Sequence, residues 1–115
     1  MITTSQQIAI RKGLLEFAVL KVVGIGSVYA AGILRRMQDT EFATREGTLY
    51  PLLSKLRRDG LVVYQWQESE LGPPRKYYQL TALGREQLAA LDQYWKTIDH
   101  TLQQLGQRSA SVTES

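Results

Sequence analysis

Cations and hydroxyls, rather than acid–base pairs, are what this sequence offers for chemistry. Between Gly47 and Arg58, the residues Thr48, Tyr50, Ser54, Lys55 and Arg58 alternate with leucines. Such a set can hydrogen-bond to phosphates and base edges, with Lys55 and Arg58 supplying charge and the three hydroxyls supplying direction. A second pair, Arg75-Lys76, directly follows Pro73-Pro74, whose restricted backbone limits where those two cations point. Bond-making chemistry is short of parts. The sequence has no cysteine and a single histidine, His100, so a thiol nucleophile, cysteine-bound zinc and a two-histidine metal site are excluded. Glu86 and Asp92 do not share a helix face at useful spacing. No enzyme, cofactor or metal site is expected.

Charge is unevenly placed. Residues 1–60 hold nine Lys/Arg against five Asp/Glu, residues 61–80 two of each, and residues 81–115 three against four, within a formal net charge of +3. A basic front half favours a polyanionic partner. A solvated basic face is the competing explanation of so small an excess. The 115 residues suit one compact domain, and 43% hydrophobic residues are enough for a core. The most apolar stretch, Phe17 to Leu34, contains Lys21 and is interrupted by Gly24-Ile25-Gly26-Ser27, so it reads as two short helices rather than a membrane span. Gln6 and Gln7 stand where a secretory signal would be apolar. A cytoplasmic, soluble protein is expected.

Hydrophobic spacing gives the elements that must position these groups. A first helix is predicted over Gln6–Val23, apolar on nearly every side and so covered by its own domain on one side and by a partner chain on the other. Ser27 is the expected cap of a second helix, Val28–Gln38, with Tyr29, Ile33 and Met37 spaced by four. Leu49, Leu52, Leu53 and Leu56 mark the buried face of a third, which begins near Glu46–Thr48 so that Pro51 falls in or just after its first turn, and which Gly60 stops. Alternation in Val62–Gln67 predicts a strand, Gly72-Pro73-Pro74 a turn, and Arg75–Leu80 a returning strand. Thr81 caps a last helix running to Leu105. Its Leu88, Leu91, Trp95, Ile98, Leu102 and Leu105 are separated by 3, 4, 3, 4 and 3, an a/d seam suited to a dimer interface.

The fold class is therefore mainly α with a β-hairpin wing, a winged helix-turn-helix plus one long C-terminal dimerisation helix. The expected boundaries are 6–80 for the DNA-binding domain, 81–106 for the dimerisation helix and 107–115 for a disordered tail. In this arrangement the third helix enters the major groove, and Arg75 and Lys76 reach the backbone beside it.

Several segments resemble PadR-type transcriptional regulators. They are Arg11-Lys12-Gly13-Leu14-Leu15-Glu16, Glu46-Gly47-Thr48-Leu49-Tyr50-Pro51-Leu52-Leu53, Leu56-Arg57-Arg58-Asp59-Gly60-Leu61, and Gly72-Pro73-Pro74-Arg75-Lys76-Tyr77-Tyr78 followed by Leu80-Thr81 and Gly84. Tyr29-Ala30-Ala31-Gly32-Ile33 departs from the pattern, with Ala31 where the family often has a second tyrosine. The resemblance implies a homodimeric repressor on a palindromic operator in double-stranded DNA, dimerised through the last helix with help from the first. The short form of the family includes multidrug-responsive regulators. By that likeness Leu15, Leu91, Tyr94, Trp95 and Asp99 surround a planar, hydrophobic or cationic effector stacked between paired tryptophans. Trp95 as simple dimer packing and Asp99 as a solvated residue remain open, as does a winged-helix protein-interaction module that binds neither DNA nor effector.

Overall fold

Thr3 sets the start of the first helix through a reciprocal cap. Its hydroxyl accepts from the Gln6 amide at 3.1 Å, and the Gln6 side chain accepts from the Thr3 amide at 2.9 Å. This cap starts α1 at Thr4, before the expected Gln6, and α1 runs to Val23. The computed structural model describes residues 1–108. After α1 come β1 (Val28–Tyr29), α2 (Ala30–Met37), α3 (Glu46–Arg58), β2 (Val62–Ser69), β3 (Gly72–Leu80) and α4 (Ala82–Leu105). Val19, Leu20 and Val23 of α1, Ile33 and Met37 of α2, and Leu49, Leu53 and Leu56 of α3 meet Val62, Tyr78 and Leu80 of the sheet in one core. The predicted leucine face of α3 is thus the buried one. Its end is fixed by Gly60, which has φ 78° and donates to the Arg57 carbonyl at 3.0 Å while the Leu61 amide donates to Leu56 at 2.9 Å.

Two local expectations are corrected. Ser27 does not cap a helix over Val28–Gln38: Val28 and Tyr29 pair antiparallel with Tyr78 and Tyr77 as an edge strand, and the helix begins at Ala30. Pairing satisfies backbone groups of β3 that a helix start at Val28 would leave open. The hairpin turn is also displaced. Ser69 faces Gly72, which leaves Glu70-Leu71 as the tip and places Gly72-Pro73-Pro74 inside β3. The prolines sit at an irregular stretch of the ladder, between the Gln67–Arg75 and Ser69–Gly72 pairs, where missing amide donors are tolerated. The strand order is β1-β3-β2.

Thr81 docks α4 onto the α3–β2 junction. Its hydroxyl accepts from the Gly84 amide at 2.9 Å and donates to the Gly60 carbonyl at 2.6 Å, and its own amide donates to Leu61 at 3.0 Å. Leu88 and Leu91 then pack on the core, and Asp92 pairs with Lys21 of α1 at 2.6 Å. Beyond that point α4 projects. The radius of gyration is 18.3 Å, against about 13 Å for a compact chain of this size. Of the tail expected over 107–115, the part from residue 109 onward lies outside the described residues. Among the described residues no helix is long and apolar enough to cross a membrane. The architecture is a winged helix-turn-helix with a long C-terminal helix.

Candidate nucleic-acid interface

A cleft of about 420 Å³ separates α3 from the wing. Tyr50 and Ser54, one turn apart on α3, form one wall, Arg75 and Lys76 of β3 form the other, and Ala30 and Ala31 at the start of α2 contribute to its lining. Four of the seven residues expected to contact DNA are therefore brought together. Their orientation follows from the corrected hairpin. With the turn at Glu70-Leu71, Arg75 and Lys76 lie in the ladder opposite Gln67 and Trp66, not at a loose tip. Lys76 Nζ lies 4.5 Å from the Tyr64 ring centroid and 5.4 Å from that of Trp66, contacts that hold a flexible ammonium group in place.

The other three lie on other parts of the exposed arc of α3. Thr48 lines a separate groove with Ile8, Leu15 and Phe42. Lys55 is engaged by Glu16 of α1 at 3.2 Å and by Asp59 at 3.3 Å. The hydrogen bond that Lys55 donates to Glu16 comes first among the causes that hold its ammonium above its ordinary pKa, with the one to Asp59 second. Arg58 is exposed in the last turn of α3.

Sequence reasoning missed Tyr29 by counting it into a helical stripe. In β1 its phenol accepts from Arg35 Nη2 at 2.6 Å, and Arg75 lies over its ring at 4.7 Å. The Arg35 hydrogen bond holds the phenol below its ordinary pKa, opposed in part by desolvation. Tyr78, on the core side of the sheet, is pushed the other way by burial. Arg57 was also missed, and it stacks over Tyr64 at 5.0 Å. An aromatic residue just ahead of a helix and an arginine one turn from Leu53 are the only sequence signals for them.

The residues expected around an effector are divided. Trp95, 43% exposed, lines an apolar groove of about 430 Å³ with Leu14, Phe17 and Val22 of α1 and with Met37 and Phe42. Leu15 instead faces the groove that holds Thr48, Leu91 packs half-buried on the core, Tyr94 is exposed, and Asp99 is exposed and accepts from Gln103 at 3.5 Å. The α4 seam is similarly split: Leu88 and Leu91 serve this chain's own core, Ile98 is half-buried, and Leu102 and Leu105 are 62% and 76% exposed. Among the described residues no cluster of His, Asp or Glu is grouped to hold a metal.

The model of the transcriptional regulator PadR-like family matches residues 19–90. A comparison with curated proteins finds no match. Among solved structures, a PadR-like transcription factor from Bacteroides fragilis is 39% identical, with a TM-score of 0.76 over 85% of this chain and 95% of that one. A PadR-like transcriptional regulator from Bacillus cereus is 32% identical, with a TM-score of 0.72 over 85% and 96%. A PadR family regulator from Eggerthella lenta is 25% identical, with a TM-score of 0.80 over 92% and 93%. Members of this family are transcription factors and not enzymes. With the family model spanning most of the winged helix and these structures matching nearly end to end, the chain belongs to the PadR-like family of transcriptional regulators.

Proposed function

We propose that the protein is a cytoplasmic repressor that binds a palindromic operator as a homodimer. Residues 6–80 read the DNA, residues 81–106 join two copies, and a planar hydrophobic or cationic compound modulates binding. The observation that carries the reading is the cleft between α3 and the wing, where Tyr50 and Ser54 oppose Arg75 and Lys76. Neither cation is ion-paired with a carboxylate among the described residues. Unneutralised cations beside hydroxyls on a protruding helix match what phosphates and base edges need. Thr48, Lys55 and Arg58 extend the contact along α3, with Lys55 exchanging its two carboxylates for phosphate. For dimerisation the support is the exposed row Trp95, Leu102 and Leu105 on the projecting part of α4. For the effector the support is the apolar groove that Trp95 shares with Leu14, Phe17 and Val22 of α1, although Leu15, Leu91, Tyr94 and Asp99 lie outside its lining.

The test is a salt titration of DNA binding. Arg75→Ala with Lys76→Ala removes two cations per protomer, four per dimer, so the log–log salt slope should fall in magnitude by about 3–4 at about 0.9 per phosphate contact. Affinity should drop on all sequences alike. An unchanged slope removes the wing from the interface, and a wild-type protein that binds no duplex points to the protein-interaction module instead.

A further inference from the structure

Two guanidinium groups meet at Tyr29, Arg75 from the cleft that faces α3 and Arg35 from the neighbouring concavity. Arg35 donates to the phenol at 2.6 Å, with its guanidinium carbon 5.6 Å from the ring centroid, and the Arg75 guanidinium carbon lies 4.7 Å from the same centroid. Tyr77 packs against Tyr29 at 5.4 Å. Arg36 joins Arg35, Tyr29, Tyr77 and Gly32 around a shallow concavity of about 360 Å³. Like charges brought this close repel, and side chains as flexible as arginine can swing apart. Here Arg35 and Arg75 are held together by one ring and one hydroxyl, with Arg36 beside them. Lys21 and Lys55, by contrast, are each matched by a carboxylate within 3.3 Å. Among the described residues no carboxylate is paired with Arg35, Arg36 or Arg75. An exposed cluster of planar donors without an internal counter-ion suits a phosphate group, which guanidinium binds in a forked geometry.

We propose that Arg35 and Arg75, splinted by Tyr29 and joined by Arg36, form a second phosphodiester-binding site that grips the DNA backbone flanking the segment read by α3. The assignment rests on the DNA-binding reading above. Tyr29 lines both the cleft and the concavity, so a strand leaving the cleft past the wing passes directly onto the arginine cluster. Tyr29 is a positioning residue: its hydroxyl fixes Arg35 and its ring supports Arg75. Gly32 keeps the approach low, since it adds no side chain to the concavity.

The test uses the full chain and a fluorescently labelled duplex of about three helical turns, with anisotropy read across a salt series. Arg35→Gln should lower the slope magnitude by about 2 for a dimer, one phosphate contact per protomer at about 0.9 each. Tyr29→Phe keeps every cation and the ring, and should weaken binding several-fold by releasing Arg35. Arg35→Lys restores charge without the planar fork and should not recover that affinity. Arg35 is exposed, so thermal melts of the variants should overlay the wild type. If the wild type binds and Arg35→Gln keeps its full slope and affinity, the second site is overturned while the DNA-binding reading stands. A wild type that binds no duplex overturns both. Replacing chloride with inorganic phosphate at constant ionic strength should weaken wild-type DNA binding more than that of Arg35→Gln, because free phosphate competes with the phosphodiester for the arginines. Phosphate binding lost in Arg35→Gln while its DNA affinity is unchanged would assign the site to free phosphate and not to DNA.

Discussion

Lys55 and Arg75 carry the same charge and meet it differently. Lys55 sits between two carboxylates, whereas Arg75 rests on an aromatic face with no carboxylate paired to it among the described residues. Both were visible in the sequence as basic residues in the right segments, and the spacing of Tyr50 and Ser54 on the polar side of α3 was enough to place them together. Tyr29 and Arg35 were not visible, because their roles depend on a two-residue strand pairing with residues about fifty positions away. That Leu15 lines a different groove from Trp95 was not visible for a related reason: the all-round apolar α1 gives no sign of which face meets which groove. Trp95 is the residue on which the effector proposal turns. A planar cationic dye should quench tryptophan emission, and Trp95→Phe should abolish the quenching and raise the dissociation constant about tenfold, given about 0.5–1.5 kcal/mol for each aromatic stacking contact. Trp66 is the second fluorophore and should remain unquenched in the variant. Full quenching at an unchanged midpoint would exclude Trp95 from the effector site.

Elements with strong periodicity were legible, the two hairpin strands among them, whereas the edge strand β1, defined by pairing alone, was not. The leucines of α3 and the seam of α4 declare helices through side-chain spacing alone, and Thr81 and Gly60 mark boundaries by cap chemistry. Gly-Pro-Pro reads as a turn from local propensity, yet the ladder absorbs it into β3 and moves the tip to Glu70-Leu71. The junction between β3 and α4 gives a sharp test of packing against propensity. Gly84 is buried in the first turn of α4, and a Cβ there would lie 2.0 Å from the Leu61 carbonyl oxygen. Helix propensity alone makes Gly84→Ala stabilising by about 1 kcal/mol. The backbone clash forces α4 off its seat and should reverse that sign, with a net loss of about 1–3 kcal/mol. Urea melts measure it directly. A variant as stable as the wild type, or more so, would show that α4 does not dock as described.

At the scale of the molecule, the shape itself points outward. Principal extents of 68 × 32 × 20 Å place a long helix beyond a small core, with Leu102 and Leu105 on it exposed. An apolar row on a projecting helix is costly in water unless it is covered, and a second copy offers the same row in return. The twofold relation that results would set two α3 helices side by side on one face. Sequence periodicity picks out this row as a proposed dimer seam, but not that Leu88 and Leu91 are already used within the chain, which confines the row left open to the far half of α4. The most direct test of the whole account is hydroxyl-radical footprinting on the DNA upstream of the gene for this protein. Two symmetric protected patches, centred about 34 Å or one helical turn apart, are expected from paired reading helices. A single unpaired patch, or no protection at concentrations that saturate a dimer, would contradict it.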